Sequence, residues 1–161
     1  MQYLRELSLR LREAASYEEA GSTCSEAGVD YVDLRFADLP GRWHHVTLPA
    51  ARVGSKLFED GVGFDGSSVP GYLTVERGDM VILADPSTAI VEESGPHLIV
   101  SYLASAAEAD TRELFPLDPR VVAKRAATVL ARSGHADTAL LGPELEFYLF
   151  TSVDYGSSCG S

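Results

Sequence analysis

Two short stretches of the 161-residue sequence carry acids in surroundings that could do chemistry. The first, GVGFDGSSVPGY at residues 61–72, sets Asp65, Ser67 and Ser68 among four glycines. The glycines make the backbone pliable and Pro70 stiffens its exit, so a shaped loop is expected here rather than a strand interior. A phosphate cradle would follow its glycines with Lys-Ser or Lys-Thr at the opening of a helix. This loop has no such lysine, and an acid flanked by hydroxyls suits a cation better than an anion. A turn aspartate can also do no more than bond its own loop backbone, and that reading stands beside the first. The second stretch is GPELEF at residues 142–147. If residues 144–150 are extended, Glu144, Glu146, Tyr148 and Phe150 share one face, with the two carboxylates about 6.5 Å apart along the backbone. Such a pair can share one hard cation or hold two, and Mg²⁺ or Mn²⁺ prefer oxygen donors. Two acids do not complete a shell of about six oxygens, and an E-x-E pair equally suits a solvated strand face. His44 and His45 are adjacent on an expected strand, point to opposite faces and read as structural. Trp43 and Tyr72 read as packing residues. Ser67 and Ser68 have no local histidine partner, which argues against a serine hydrolase.

The elements that must position these residues are legible from periodicity. Leu4, Leu7 and Leu11 recur at helical spacing over residues 3–15, and the small, polar run at 16–28 reads as a connector. YVDLRF alternates, with Val32, Leu34 and Phe36 on one face. The turn residues DLPG and the strand WHHVTL then make a hairpin. Pro49 can start a helix that buries Val53, Leu57 and Phe58. MVILA and HLIVSYL are expected as buried strands, giving a sheet with helices on one side. DPRVVAKRAATVLARSG predicts a helix with Asp118 as N-cap, Pro119 in the first position and Gly134 beyond the last turn. Its apolar stripe would be Val122, Ala126, Val129 and Leu130. TALLGPELEFYLF is a strong strand signal, with a domain boundary expected before it, between residues 103 and 118.

Composition narrows the functional class. Thirteen basic against 24 acidic residues give a formal charge of −11, which disfavours nucleic acid and anionic membrane as partners. The two cysteines, Cys24 and Cys159, suggest neither a zinc site nor a disulfide framework and fit a reducing compartment. Charges interrupt the N-terminal leucines, leaving neither a signal-peptide core nor a span of bilayer length, so a cytoplasmic protein is expected.

Taken in order, VDLRFADLPGRWHHVTLPA, GVGFDGSSVPGY, GDMVILADPSTA, DPRVVAKRA and GPELEFYLF resemble the N-terminal portion of bacterial-type glutamine synthetases. The resemblance covers nearly all of residues 30–150. It implies an α+β chain: an N-terminal helix and connector at 1–28, a β-grasp-like domain at 29–112, and at 113–161 the first helix and strand of an incomplete catalytic domain. It also implies ATP-dependent ligation of ammonia to glutamate through a γ-glutamyl phosphate. Asp65 would bind ammonium and help draw off its proton, with Ser68 beside it. Asp79 matches another acid of the same region, and Tyr72 falls near a neighbouring subunit's nucleotide. Glu144 and Glu146 match ligands of Mg²⁺ or Mn²⁺. The partners implied are glutamate, ammonium and ATP, and further copies of the chain in a ring whose active sites lie between subunits. Leu145 stands where the family commonly has proline. The family's remaining metal acids, substrate arginines and nucleotide pocket have no counterpart in these residues, so the chain alone is expected to be inactive. A fragment of a related glutamate–amine ligase and a non-catalytic partner-binding domain are the alternatives.

Overall fold

The alternation of Val32, Leu34 and Phe36 demands one buried face. In the computed structural model of the chain, which describes residues 1–74, 76 and 78–156, all three side chains are buried. They belong to β1 (Tyr31–Ala37), which forms the expected antiparallel hairpin with β2 (Trp43–Pro49). The hairpin turn is organised by Asp38, a buried acid whose carboxylate accepts the Arg42 N–H at 2.7 Å and His44 Nε2–H at 2.8 Å.

The remaining strands are β3 (Val62–Asp65), β4 (Asp79–Ala84), β5 (Ile90–Ser94) and β6 (His97–Glu108), and the sheet order is β2-β1-β6-β4-β3 with β5 also on β6. The first half of β6 has β1 parallel on one side and β5 antiparallel on the other. Its second half pairs with β4, also antiparallel. β4 and β5 thus act as one long partner of β6, interrupted by an excursion at residues 85–89. β6 outruns the expected HLIVSYL strand because Ala104, Ser105, Ala106 and Ala107 carry little strand signal themselves and are recruited by pairing with β4.

Further expectations are corrected. Residues 16–28 are not a connector but contain α2 (Tyr17–Glu26), capped by Ser16, whose hydroxyl accepts the Glu19 N–H at 3.1 Å. Glu19 in turn accepts the Ala15 N–H, so SYEE is a variant of the capping box, a signal present in the sequence. The front of the glycine-rich stretch is likewise no loop: Val62 to Asp65 pair with Asp79 to Ile82 as an edge strand. After Pro49 the chain makes a 3-10 turn and then α3 (Ser55–Glu59) rather than one helix, and Val53, Leu57 and Phe58 are buried as anticipated. α1 (Gln2–Arg12) and α2 place Leu7, Leu11, Ala20 and Cys24 in the same core as Val32, Leu34, Ile82, Val100 and Tyr102. Burial pushes the Cys24 thiol up to about 11; Cys159 lies outside the described residues. Trp43, expected to pack, is 66% exposed on edge strand β2. Among the described residues no helix is long and apolar enough to cross a membrane.

Past residue 103 the edge of β6 is taken over by the incoming chain. Phe115 N–H donates to the Ala106 carbonyl at 2.8 Å and Glu108 N–H to the Glu113 carbonyl at 2.9 Å. The Ala106 N–H donates to Asp118 at 2.7 Å. Asp118, 1% exposed, also accepts the N–H groups of Arg120 and Val121. It thereby caps α4 (Pro119–Ser133), which ends at Gly134 in the left-handed conformation, φ +70°. The caps are as expected, but the stripe is not. Val121 is the buried residue of α4, while Val122, Ala126 and Val129 are exposed and Leu130 is half-exposed. The expected strand over TALLGPELEFYLF is also absent: residues 138–150 form no helix or strand, and Leu140, Leu145, Phe147 and Leu149 are exposed. A strand exists only by pairing, and no described strand pairs with this one.

Asp118, the N-cap of α4, and Tyr102 on β6 respond oppositely to substitution. Asp118→Ala removes a helix cap and strands the Ala106 amide, and is expected to cost about 2–3 kcal/mol in urea unfolding. Tyr102 is 1% exposed, and its hydroxyl has no hydrogen-bond partner among the described residues. Tyr102→Phe is therefore expected to be neutral or to stabilise by up to about 1 kcal/mol.

Candidate functional site

β3 ends at Asp65, opposite Asp79 in the β3–β4 register, and the 3-10 turn Gly66–Ser68 follows at once. The carboxylate is exposed yet held from three sides. Asp65 Oδ1 accepts the Ser67 N–H at 2.9 Å and the Ser67 hydroxyl at 2.7 Å, and Oδ2 accepts the Ser68 hydroxyl at 3.1 Å. The Ser67 hydroxyl, then the Ser67 N–H, outweigh the slight desolvation and, with Ser68, hold Asp65 below the usual carboxylate range. The group is therefore an anion at neutral pH. A carboxylate offers about four acceptor positions, so three donors leave room on the solvent side for one more.

The neck of the loop is closed by glycine. Gly66 N–H donates to the Gly78 carbonyl at 2.7 Å. A Cβ on Gly78 would lie 2.5 Å from Asp65 Oδ1, so residue 78 must lack a side chain for the carboxylate to sit where it does. The exit is braced from beneath by the β1–β2 turn: Leu39 lies against Gly71, and the buried Tyr72 hydroxyl donates to the Ala37 carbonyl at 2.9 Å. Its ring packs on Phe64, the residue before Asp65, and on Phe115, with centroids 6.5 and 5.1 Å away. Burial, then the charges of Asp118 and Asp38, push the Tyr72 hydroxyl well above the usual phenol range.

The structure therefore brings together Asp65, Ser67 and Ser68, with Asp79 beside them on the next strand and Tyr72 underneath, inside the chain. It does not bring Glu144 and Glu146 to this site by any contact; both are exposed in the segment without regular structure. Among the described residues no group of three or more His, Cys, Asp or Glu could hold a metal ion. His44 and His45 are structural, as read: His44 bonds Asp38, and His45 Nδ1 lies 2.8 Å from Asp33 on the other face. Sequence reasoning missed Gly78 as a determinant of Asp65 and missed Asp38 beneath the loop. The first has no local signal, whereas a DLPG turn acid is a recognisable cue.

The family profile described as glutamine synthetase, beta-Grasp domain, matches residues 28–107. The chain carries the β-grasp domain of the glutamine synthetase family. It is 42% identical over 132 residues to the glutamine synthetase of Mycolicibacterium smegmatis, covering 82% of this chain and 28% of that protein. To the Escherichia coli K12 glutamine synthetase it is 41% identical over 143 residues, 89% of this chain and 30% of the relative. The chain thus spans less than a third of these relatives' length. A cryo-EM structure of Plasmodium falciparum glutamine synthetase superposes with a TM-score of 0.67 over 74% of this chain and 23% of its own, at 20% identity, a likeness of fold. A GmaS/ADP complex superposes with a TM-score of 0.60 at 25% identity, over 71% of this chain and 25% of its own. Within this glutamine synthetase β-grasp domain, the Asp65 loop closes the sheet at the β3 edge.

Substitutions that remove or displace the donors around Asp65 have a titration signature. Ser67→Ala, and Gly78→Ala by pushing the carboxylate aside, are each expected to raise the pKa of Asp65 toward the ordinary carboxylate value, read by carboxyl-detected NMR. Because the folded value is the depressed one, the stabilisation from Asp65 is present above the unfolded-state pKa and is lost as pH falls through the folded one. Unchanged titration in Ser67→Ala would contradict this assignment of donors.

Proposed function

We propose that the chain supplies the ammonium-side loop of a glutamine synthetase, which joins ammonia to glutamate with ATP through a γ-glutamyl phosphate. The observation that carries the reading is Asp65, an exposed anion preorganised by Ser67 and Ser68 with acceptor capacity left toward solvent. The identity of 41–42% to glutamine synthetases supports it. A fixed carboxylate attracts NH₄⁺ by charge and by accepting one of its N–H bonds. The depressed pKa makes Asp65 a weak base, so its first contribution is to hold and orient the cation. Asp65 then takes one proton from the held NH₄⁺, which frees the nitrogen lone pair; the ammonia so formed attacks the acyl carbon and displaces phosphate, and that attack draws the uphill proton transfer forward. Ser68 keeps the carboxylate aimed, and Asp79 adds negative charge at the same edge.

Glu144 and Glu146 have the donor chemistry for Mg²⁺ or Mn²⁺, which in such an enzyme neutralises phosphate charge during transfer from ATP. Two carboxylates are fewer than such an ion requires, so water, the nucleotide phosphates or further oxygen donors would complete the shell. Tyr72 serves by seating the Asp65 loop, close to where a neighbouring subunit would present its nucleotide. The active unit is accordingly a homo-oligomer, and a cytoplasmic one, where ATP and glutamate are available.

Two measurements test this reading. The isolated 161-residue chain is expected to form no glutamine from glutamate, ATP and ammonium; turnover by the purified chain would overturn the shared-site proposal. In a chimera, this chain replaces the matching region of the Mycolicibacterium smegmatis enzyme. There Asp65→Asn is expected to lower kcat/KM for ammonium by about 10²-fold or more. Equal kcat/KM in the two chimeras would remove Asp65 from the reaction.

A further inference from the structure

The excursion at residues 85–89 between β4 and β5 is tied to β6 at both ends. Asp85 N–H donates to the Leu103 carbonyl at 2.8 Å, and the Leu103 N–H donates to the Thr88 hydroxyl at 2.9 Å. Asp85 Oδ1 takes the Ser87 N–H and hydroxyl, which orients the carboxylate and leaves Oδ2 directed at α4. There Oδ2 meets Arg120 Nη2 at 2.5 Å and Lys124 Nζ at 3.3 Å. Arg120 and Lys124 are four residues apart, one turn of the same helix face. Arg120 reaches the sheet a second time, donating to the Ser105 hydroxyl at 3.3 Å. Desolvation would raise the pKa of Asp85, but hydrogen bonds from Arg120, Ser87 and Lys124 overturn that and hold it well below the usual range, so the pair is charged at neutral pH.

The rest of α4 touches little. Its cap at Asp118 is a pivot, Val121 is its one buried residue, and beyond Lys124 its side chains are exposed but for the half-exposed Leu130. A helix held at a single point can swing about it. A second attachment, at Arg120 in the first turn and at Lys124 one turn further on, off the pivot, removes that freedom.

We propose that Asp85 is a positioning residue whose contacts with Arg120 and Lys124 fix the angle at which α4 leaves the sheet. The 85–89 excursion is then a bracket built into the β-grasp domain, and everything after α4 takes its placement relative to the Asp65 loop from it. That last consequence rests on the function proposed above; the bracket itself does not, and its test uses no activity.

The test is a spin-label distance between Ser94→Cys on β5 and Val129→Cys on α4, both exposed, in the full chain carrying Cys159→Ser, with Cys24 left buried. A single narrow distance distribution is expected with Asp85 in place. Asp85→Asn should broaden or shift it at least twofold in width, while Asp85→Glu, which can still reach both cations, should retain the narrow distribution. A double variant, Arg120→Gln with Lys124→Gln, removes the same contacts from the helix side, together with the Arg120–Ser105 bond, and should broaden the distribution at least as much as Asp85→Asn; it serves if the loop substitution perturbs folding. An unchanged narrow distribution in Asp85→Asn or in the double variant overturns the proposal. Broadening in Asp85→Glu equal to that in Asp85→Asn overturns it too, because general disturbance of the excursion would then account for both.

Discussion

The constraint on which the rest depends is the need of β6 for backbone partners along all twelve of its residues. β1 pairs with it only as far as Leu103. From Ala104 onward β4 satisfies one edge, and the other would face a buried interior with unpaired groups, each costing about 1–3 kcal/mol. Residues 113–118 are drawn onto that edge, and Asp118 finishes the work by accepting the Ala106 amide. The same carboxylate opens α4. One acid thereby converts the end of a sheet into the start of a helix. The opposite edge shows the same logic, where the gap between β4 and β5 is bridged by Asp85 and Thr88 bonding to Leu103.

The acids of this chain divide by where their acceptor capacity goes. Asp33, Asp38 and Asp118 are buried, and each takes hydrogen bonds from groups the fold must satisfy: Arg35, His45 and Thr47 at Asp33, Arg42 and His44 at Asp38, and the start of α4 at Asp118. Asp65 is different in that its donors come from its own turn, it is exposed, and it keeps capacity toward solvent. A buried acid with all partners internal holds structure. An exposed acid held rigid by local partners is available to a ligand.

Legibility followed the range of the interactions involved. The β1–β2 hairpin and the caps of α4 were readable because alternation, turn residues, Asp118, Pro119 and Gly134 all act within a few residues. α2 was hidden by its small, polar composition, although its S-x-x-E start was in plain view. β3 was hidden by its glycines, and the end of β6 by its alanines; both are strands because β4 offers them a ladder. The converse holds at residues 138–150, where an apolar, alternating run forms no strand for want of a neighbour.

By itself the sequence determined the chemistry of the Asp65 turn, since an acid followed by two serines organises its own hydrogen bonds at separations of two and three residues. It likewise determined the family motifs in their order. Only the tertiary structure decided that Gly78 must be bare so that Asp65 can lie against it, that Tyr72 points inward to the Ala37 carbonyl, and that Asp85 reaches across to α4. The physical reason is that these contacts join residues 13 or more apart in the chain. No local propensity encodes them, and they come into being only when β4 is laid between β3 and β6.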